Sequence, residues 1–392
     1  MSINIAAIEQ QIDGIIPSIR GIRHHLHANP ELALRETGTS RYIRAELAGH
    51  GIDPLPPFLK TDVVALLHGS APGKNVTLRA DIDALPILEE TGKDYCSTTP
   101  GVMHACGHDG HTAMLLGAAI ILNSLKNSFE GSVRLVFQPG EEVIAAGREL
   151  VEAGALENPS PDAVLALHAW AGKPVGAIGS RPGAMMAAAD FFRLTIKGCG
   201  GHGSRPEKTI DPILIASRVI SRLYEIPSRL VGALDPLVIT VCNIHGGSSS
   251  NVIPDEAVLE GTVRYFSAEL RARVPELIEQ AIRAECGYAG AGYNLDYSRP
   301  YIPTVNDAGV VALGKEVAGK YLGAASWQAI TEPVMGSEDF SYYLERYPGA
   351  MFYLGMGEAS PQLHNNCFDF NDDALNNGIL FLVAMALDIL ST

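Results

Sequence analysis

Val133-Arg134-Leu135-Val136-Phe137-Gln138-Pro139-Gly140-Glu141-Glu142 is the stretch from which the architecture can be read. A short, mostly apolar run reads as a strand buried on both faces, and a proline and a glycine supply the turn that ends it. A helical pattern, Glu141 to Ala153, follows at once. The same grammar recurs where Val76 to Arg79 leads into Asp81 and where Ala163 to Leu167 leads into His168, with the helical pattern Gly110 to Leu125 between them. This alternation predicts an α/β domain on a mostly parallel central sheet. In such sheets ligands bind in the crevice beyond the carboxyl ends of the strands, so the polar groups that follow each run are expected to converge there.

Upstream, Ile5 to Arg23 and Thr37 to Ala48 have helical spacing, separated by Asn29-Pro30-Glu31 and closed by Gly49 and Gly51. Downstream the pattern changes after Pro182-Gly183. Phe191 to Lys197 reads as a strand, Ile210 to Tyr224 as a helix, Leu237 to Asn243 and Ala257 to Tyr265 as strands, Leu270 to Glu285 as a helix and Tyr293 to Tyr297 as a last strand. That β-α-β-β-α-β order is the ferredoxin-like signature. It predicts an α+β domain at 187–299 inserted into a catalytic domain made of 1–186 and 300–392, whose second part carries helices at Ala308 to Tyr321 and Ala374 to Leu390.

The chain has 392 residues, enough for two or three domains, with 47% hydrophobic and 19% charged residues. Lysine and arginine number 29 against 44 acidic residues, and the formal net charge of -15 argues against nucleic acid or an anionic membrane as partner. Six cysteines show no disulfide-like framework, which points to a reducing compartment. Met1 to Arg20 lacks the pattern of a signal peptide, and the apolar run Ile379 to Leu387 is too short to span a bilayer. A soluble cytoplasmic protein is expected.

Chemistry concentrates in Met103-His104-Ala105-Cys106-Gly107-His108-Asp109-Gly110-His111. Thiolate and neutral imidazole are the donors divalent transition metals prefer, so Cys106 and His108 are candidate ligands; a polar loop with ordinary histidines would read the same way. Glu141 and Glu142, adjacent after a buried strand, repel each other and lose hydration unless positive charge is near. A metal would supply it, one carboxylate ligating while the other serves as general base; both would equally suit a helix first turn. His168 has the position of a ligand or of a hydrogen-bonded core histidine, and His364 lies in a polar turn, His364-Asn365-Asn366, before Phe368.

These stretches, with Arg23-His24-His25-Leu26-His27-Ala28-Asn29-Pro30-Glu31-Leu32, Arg79-Ala80-Asp81-Ile82-Asp83-Ala84-Leu85-Pro86, Gly201-His202-Gly203-Ser204-Arg205-Pro206 and Gly336-Ser337-Glu338-Asp339-Phe340-Ser341-Tyr342, resemble the M20 peptidase superfamily. Within it they are similar to the amidohydrolase branch of hippurate hydrolases, N-acyl-amino-acid amidohydrolases and auxin-conjugate hydrolases. The resemblance runs in order from about residue 20 to residue 375. It implies a metal-dependent exopeptidase-like catalytic domain, the insert being a lid through which subunits form a homodimer or higher oligomer. It further implies two divalent cations per subunit, zinc or manganese with nickel and cobalt as further candidates, held by Cys106, His108, Glu142, His168 and His364. Glu141 would be general base and then acid, His202 would polarise the scissile carbonyl, and Asp81 would orient a ligating histidine. Asn251 and Arg264 would hold the carboxylate of an N-acyl amino acid, and Glu338 and Asp339 would support the His364 region. Arg79 stands where many members carry a metal-binding histidine, and Cys106 where many carry aspartate.

The activity so implied is hydrolysis of an N-acyl amino acid to a carboxylic acid and a free amino acid; the alternative within the superfamily is a metallo-carboxypeptidase or dipeptidase. Two readings of other classes share the residues: a thiol amidase with Cys106 as nucleophile and His108 as base, which would survive a chelator, and a binding protein whose metal shell is closed.

Overall fold

The computed structural model describes residues 5–391. The chain divides into two compact units: one takes the chain up to Met185, Val305–Glu332 and the chain from Asp339, and the other takes Met186–Thr304 and Pro333–Glu338. The second of these includes a return segment, Pro333–Glu338, that the sequence pattern did not assign to it.

In the larger unit a seven-stranded sheet runs in the order Val63–His68, Ser132–Gln138, Asn75–Asp81, Ala163–Trp170, Gly349–Gly355, Ile178–Ser180, Trp327–Ala329. The four strands from Ser132–Gln138 to Gly349–Gly355 are mutually parallel, while Val63–His68 meets Ser132–Gln138 antiparallel and Ile178–Ser180 meets Gly349–Gly355 antiparallel and Trp327–Ala329 parallel. Every residue of Asn75–Asp81, Ser132–Gln138 and Gly349–Gly355 is buried, which explains why Val76 to Arg79 and Val133 to Phe137 show no strand-like alternation; Gly349–Gly355 is a strand that the sequence pattern did not assign. Helix His108–Ser124 packs on Asn75–Asp81 and on the helices Ile5–Ala28 and Leu375–Ser391; a second group, Ala146–Glu152 and Ser341–Arg346, packs on Ser132–Gln138 and Gly349–Gly355.

Register places the chemistry. Asp81 lies opposite Gln138, Arg79 opposite Ala166, and His168 opposite Tyr353, so Asp81 and Gln138 end their strands at the level of His168, two residues before the end of its own. Beyond Gln138 the expected helix Glu141 to Ala153 is two helices, Glu141–Ile144 and Ala146–Glu152, broken at Ala145 with φ 54°. The break is held from outside: the buried Asp339 carboxylate accepts the Gly147 N–H at 2.7 Å, and Ala146 N–H reaches back to the Gly140 carbonyl at 3.3 Å.

The stretch Asp372–Ser391 is longer than its sequence pattern suggested and is long and apolar enough to cross a membrane, but 72% of its apolar window is buried inside the fold. Its hydrophobicity serves the core.

The smaller unit carries strands Ala188–Lys197, Leu237–Gly246, Glu256–Tyr265 and Gly292–Tyr301, with helices Pro212–Arg229 and Ala268–Ala289. The sheet order, fourth, first, third, second, is antiparallel throughout, as a ferredoxin-like unit requires. Asp211 caps the first helix by accepting the N–H groups of Ile213 and Leu214, ahead of Pro212 at its first position, and Ser267 caps the second through the Leu270 N–H. The helices lie against each other, and Ile215, Val219, Leu223, Val274, Ile278 and Ile282 join the strand residues in a core of their own.

Candidate metal centre

Gly107, with φ 89°, opens helix His108–Ser124; a Cβ there would meet the Ala169 side chain at 3.1 Å and Phe370 at 3.3 Å, so glycine serves both the turn and the close approach. This turn delivers Cys106 and His108 to the ends of the parallel strands. His364 arrives on a loop, in a left-handed conformation with φ 65°, and its N–H bonds the Ala105 carbonyl at 2.8 Å, which ties that loop to the Cys106 turn. A histidine held at positive φ marks a constrained position.

All five candidate ligands come together. Cys106 Sγ lies 3.3 Å from His364 Nε2 and 3.5 Å from His168 Nε2; Glu142 Oε1 lies 3.2 Å from His364 Nε2 and 3.9 Å from His108 Nε2. Glu141 and Glu142 each bring a carboxylate oxygen within 4.8 Å of a His108 nitrogen.

Tautomers follow from the partners. His108 Nδ1 donates to the Asp83 carbonyl at 2.8 Å and His168 Nδ1 to the Ala169 carbonyl at 2.9 Å, and a carbonyl can only accept. In its neutral form each ring therefore carries its proton on Nδ1 and turns a lone pair on Nε2 toward the thiol and the carboxylates. His108 Nε2 is buried with no hydrogen-bond partner. An orphaned lone pair in a nest of acidic groups is costly unless a cation fills it, and imidazole, thiolate and carboxylate are the donor set that zinc and manganese accept. The residues fit a metal centre.

Electrostatics agree. The Arg79 guanidinium pairs with Asp81 at 2.7 Å and Asp339 at 2.9 Å, while Asp83 and Glu142 face the imidazoles of His108 and His364. Burial, then the charges of Glu142, Glu141 and Asp81, push the Cys106 thiol well up. Burial would lower His108, but Asp81 and Asp83 outweigh it and raise that imidazole to about 10. A cluster that pulls protons this strongly is one that binds cations.

Asp81 Oδ1 takes the Nδ1 proton of His111 at 2.6 Å, so its hydrogen bond goes to a histidine outside the five. His111 Nε2 in turn accepts the Ala169 N–H at 2.8 Å, fixing the chain next to His168, while Asp81 Oδ2 lies 3.7 Å from His108 Nε2. Asp339 supports the Glu141 side of the site rather than His364: it accepts from Gln138, Arg79 and Gly147. Asp83 went unremarked among the candidates; its backbone carbonyl orients His108 and its Oδ2 accepts the Glu142 N–H at 3.1 Å. Its place in Asp81-Ile82-Asp83 was the available signal.

The remaining candidates lie in the smaller unit. His202, exposed, ends the two-residue strand Gly201–His202 paired with Val252–Ile253; its Nδ1 accepts the Ser204 N–H at 3.1 Å, which leaves the ring proton on Nε2. Asn251 is exposed and accepts from the Ser249 hydroxyl at 2.7 Å. Arg264 stands on Glu256–Tyr265 with its guanidinium 5.5 Å from the centre of the Phe191 ring and its Nη1 buried without a hydrogen-bond partner.

The chain matches the model of peptidase family M20/M25/M40 over residues 77–388. It is 39% identical over 373 residues to an N-acetylcysteine deacetylase of Bacillus subtilis (strain 168), covering 95% of this chain and 96% of that one. To the IAA-amino acid hydrolase ILR1-like 4 of Arabidopsis thaliana it is 40% identical over 376 residues, 93% of this chain and 84% of that one. A solved dinuclear metal-binding peptidase of the M20 family from Bacillus subtilis superposes with a TM-score of 0.84 at 35% identity, covering 97% of this chain and 99% of that one. Fold and site together define a metal-dependent hydrolase. The chain belongs to the M20 peptidase family, in its amidohydrolase branch.

Proposed function

We propose that the protein hydrolyses the amide bond of N-acyl amino acids, releasing a carboxylic acid and a free amino acid. The observation that carries the reading is the convergence of three imidazole Nε2 atoms on Cys106 and Glu142 with a second carboxylate, Glu141, at the same turn. Two divalent cations held by Cys106, His108, Glu142, His168 and His364 would polarise the scissile carbonyl and lower the pKa of the attacking water. Thiolate favours zinc, and the carboxylate and imidazole donors also suit manganese.

Glu141 takes the proton of the attacking water and returns it to the leaving nitrogen. His202 donates from Nε2 to the carbonyl oxygen as negative charge grows there, the Ser204 N–H on Nδ1 holding the required tautomer. Arg264, whose Nη1 lacks a protein partner, and Asn251 bind the carboxylate of the amino-acid half. A reducing, cytoplasmic setting accords with the free state of all six cysteines. The homodimer implied by the resemblance would use the smaller unit, whose strand Leu237–Gly246 is an open sheet edge.

Turnover of hippurate, N-acetyl-L-cysteine and indoleacetyl-alanine, each beside its carboxamide, tests the substrate class. Arg264→Ala is expected to raise KM for the free acids and to leave the carboxamides nearly unchanged. Equal losses on both series would remove Arg264 from substrate binding, and no turnover of any member would refute the class.

A further inference from the structure

Glu36 is a fully buried carboxylate at the start of helix Thr37–Gly49, yet it does not cap that helix. The capping is done by Glu31, which accepts the N–H groups of Gly38 at 3.0 Å and Thr39 at 2.8 Å and the Thr39 hydroxyl at 3.0 Å. Glu36 is turned inward instead. Its Oε1 accepts the Gly140 N–H at 3.1 Å and the Leu34 N–H at 2.9 Å, and its Oε2 accepts the Thr61 hydroxyl at 2.9 Å. Leu34 adopts φ 60° in the tight turn that leads to Glu36, a left-handed conformation that a leucine resists.

Gly140 immediately precedes Glu141 and has φ 64°. Its N–H goes to Glu36 and its carbonyl accepts from Ala146, so both polar backbone groups of the residue before Glu141 are tied. The N–H groups at the start of a helix have no partner within it, and a buried helix start must find acceptors elsewhere. Around this start they are side-chain carboxylates: Glu36 on Gly140, Asp83 on Glu142 and Asp339 on Gly147. Asp83 also touches His108, and Asp339 also pairs with Arg79. Among the described residues the hydrogen bonds to Glu36 come from neutral donors, and the one from Gly140 ties it to the turn before Glu141.

We propose that Glu36 is a positioning residue that aims Glu141 by holding the Gly140 turn, an inference that rests on Glu141 being the general base. A misplacement of about 1 Å at a reacting group lowers a rate on the order of 10²-fold. Glu36→Leu should therefore lower kcat at least about tenfold on the best substrate of the panel, with KM and metal content close to native and the fold retained at the assay temperature, while the melting temperature falls because three buried donors lose their acceptor. Glu36→Gln, which keeps an acceptor for Gly140, should stay near the native rate, as should Thr61→Val. Hydrogen–deuterium exchange of the peptide spanning Gln138 to Gly147 should quicken in Glu36→Leu and not in Glu36→Gln. If Glu36→Leu does not fold, Glu36→Asp, one methylene too short to reach Gly140, gives the same readings. On a Glu141→Gln background the loss of Glu36 should cost no further rate, because the group it aims is gone. Native kcat in Glu36→Leu together with an inactive Glu141→Gln would overturn the role of Glu36 alone, as would a loss that merely tracks metal content or unfolding. A near-native Glu141→Gln would overturn the general base itself.

Discussion

His111 commits both ring nitrogens inside the protein, to Asp81 and to the Ala169 N–H, whereas His108 and His168 each leave one nitrogen facing Cys106 and the carboxylates. Three histidines of similar burial thus have different chemistry, and burial pulls His111 down to about 4, neutral across the physiological range. Glu141→Gln keeps the shape of the side chain and removes the base; it should retain bound metal and lose turnover by about 10²-fold or more. Metal analysis beside single-turnover rates checks this, and a near-native rate would exclude Glu141. The residue types were legible from the sequence because Cys106, His108, Glu141 and Glu142 have little reason to cluster near strand ends except chemistry. The tautomers, Asp83 and Glu36 were not, since they depend on which backbone groups approach across the fold: Glu36 reads as an ordinary helix-start acid until Gly140 is seen beside it.

At the scale of elements, strands that end in polar residues were readable because a strand buried on both faces must be an apolar run, and the helix between them must be amphipathic or buried. The break at Ala145 was not readable: the local pattern favours one helix, and Asp339, remote in sequence, overrides it. A second long-range tie joins helix Ile5–Ala28 to two ligand-bearing segments. The Arg23 guanidinium, fully buried, pairs with Asp109 beside His108 at 3.0 Å and with Asp369 and Asp372 beyond His364, and donates to the Phe370 carbonyl at 3.0 Å. Lysine carries the charge but lacks the planar fork, so Arg23→Lys should let the loop carrying His364 drift. Metal affinity should fall about 10- to 100-fold, read by competition with a chelator, with the two-unit fold intact by circular dichroism. Unchanged affinity would make Arg23 a stabilising residue only.

At the scale of the whole molecule, the net charge of -15 left the local balance of charges hidden, because the ion pairs that matter are buried. His27 shows this: burial opposes its charge, but Asp109 at 2.8 Å and Glu89 at 3.1 Å outweigh burial and raise it to about 9. A folded value above the unfolded one of about 6.5 gives stability that is complete below that pH and is lost as pH rises through about 9. Between pH 7 and pH 10 the melting temperature of the native protein should fall more steeply than that of His27→Gln; parallel curves would contradict the assignment.

The most direct measurement is metal counting by mass spectrometry on chelator-stripped protein reloaded with zinc or manganese, with turnover read on the same samples. Activity should be absent from the stripped protein and return in step with the metal, saturating at two cations per chain. Full turnover in protein that holds no stoichiometric divalent cation would contradict the metal centre and every role built on it.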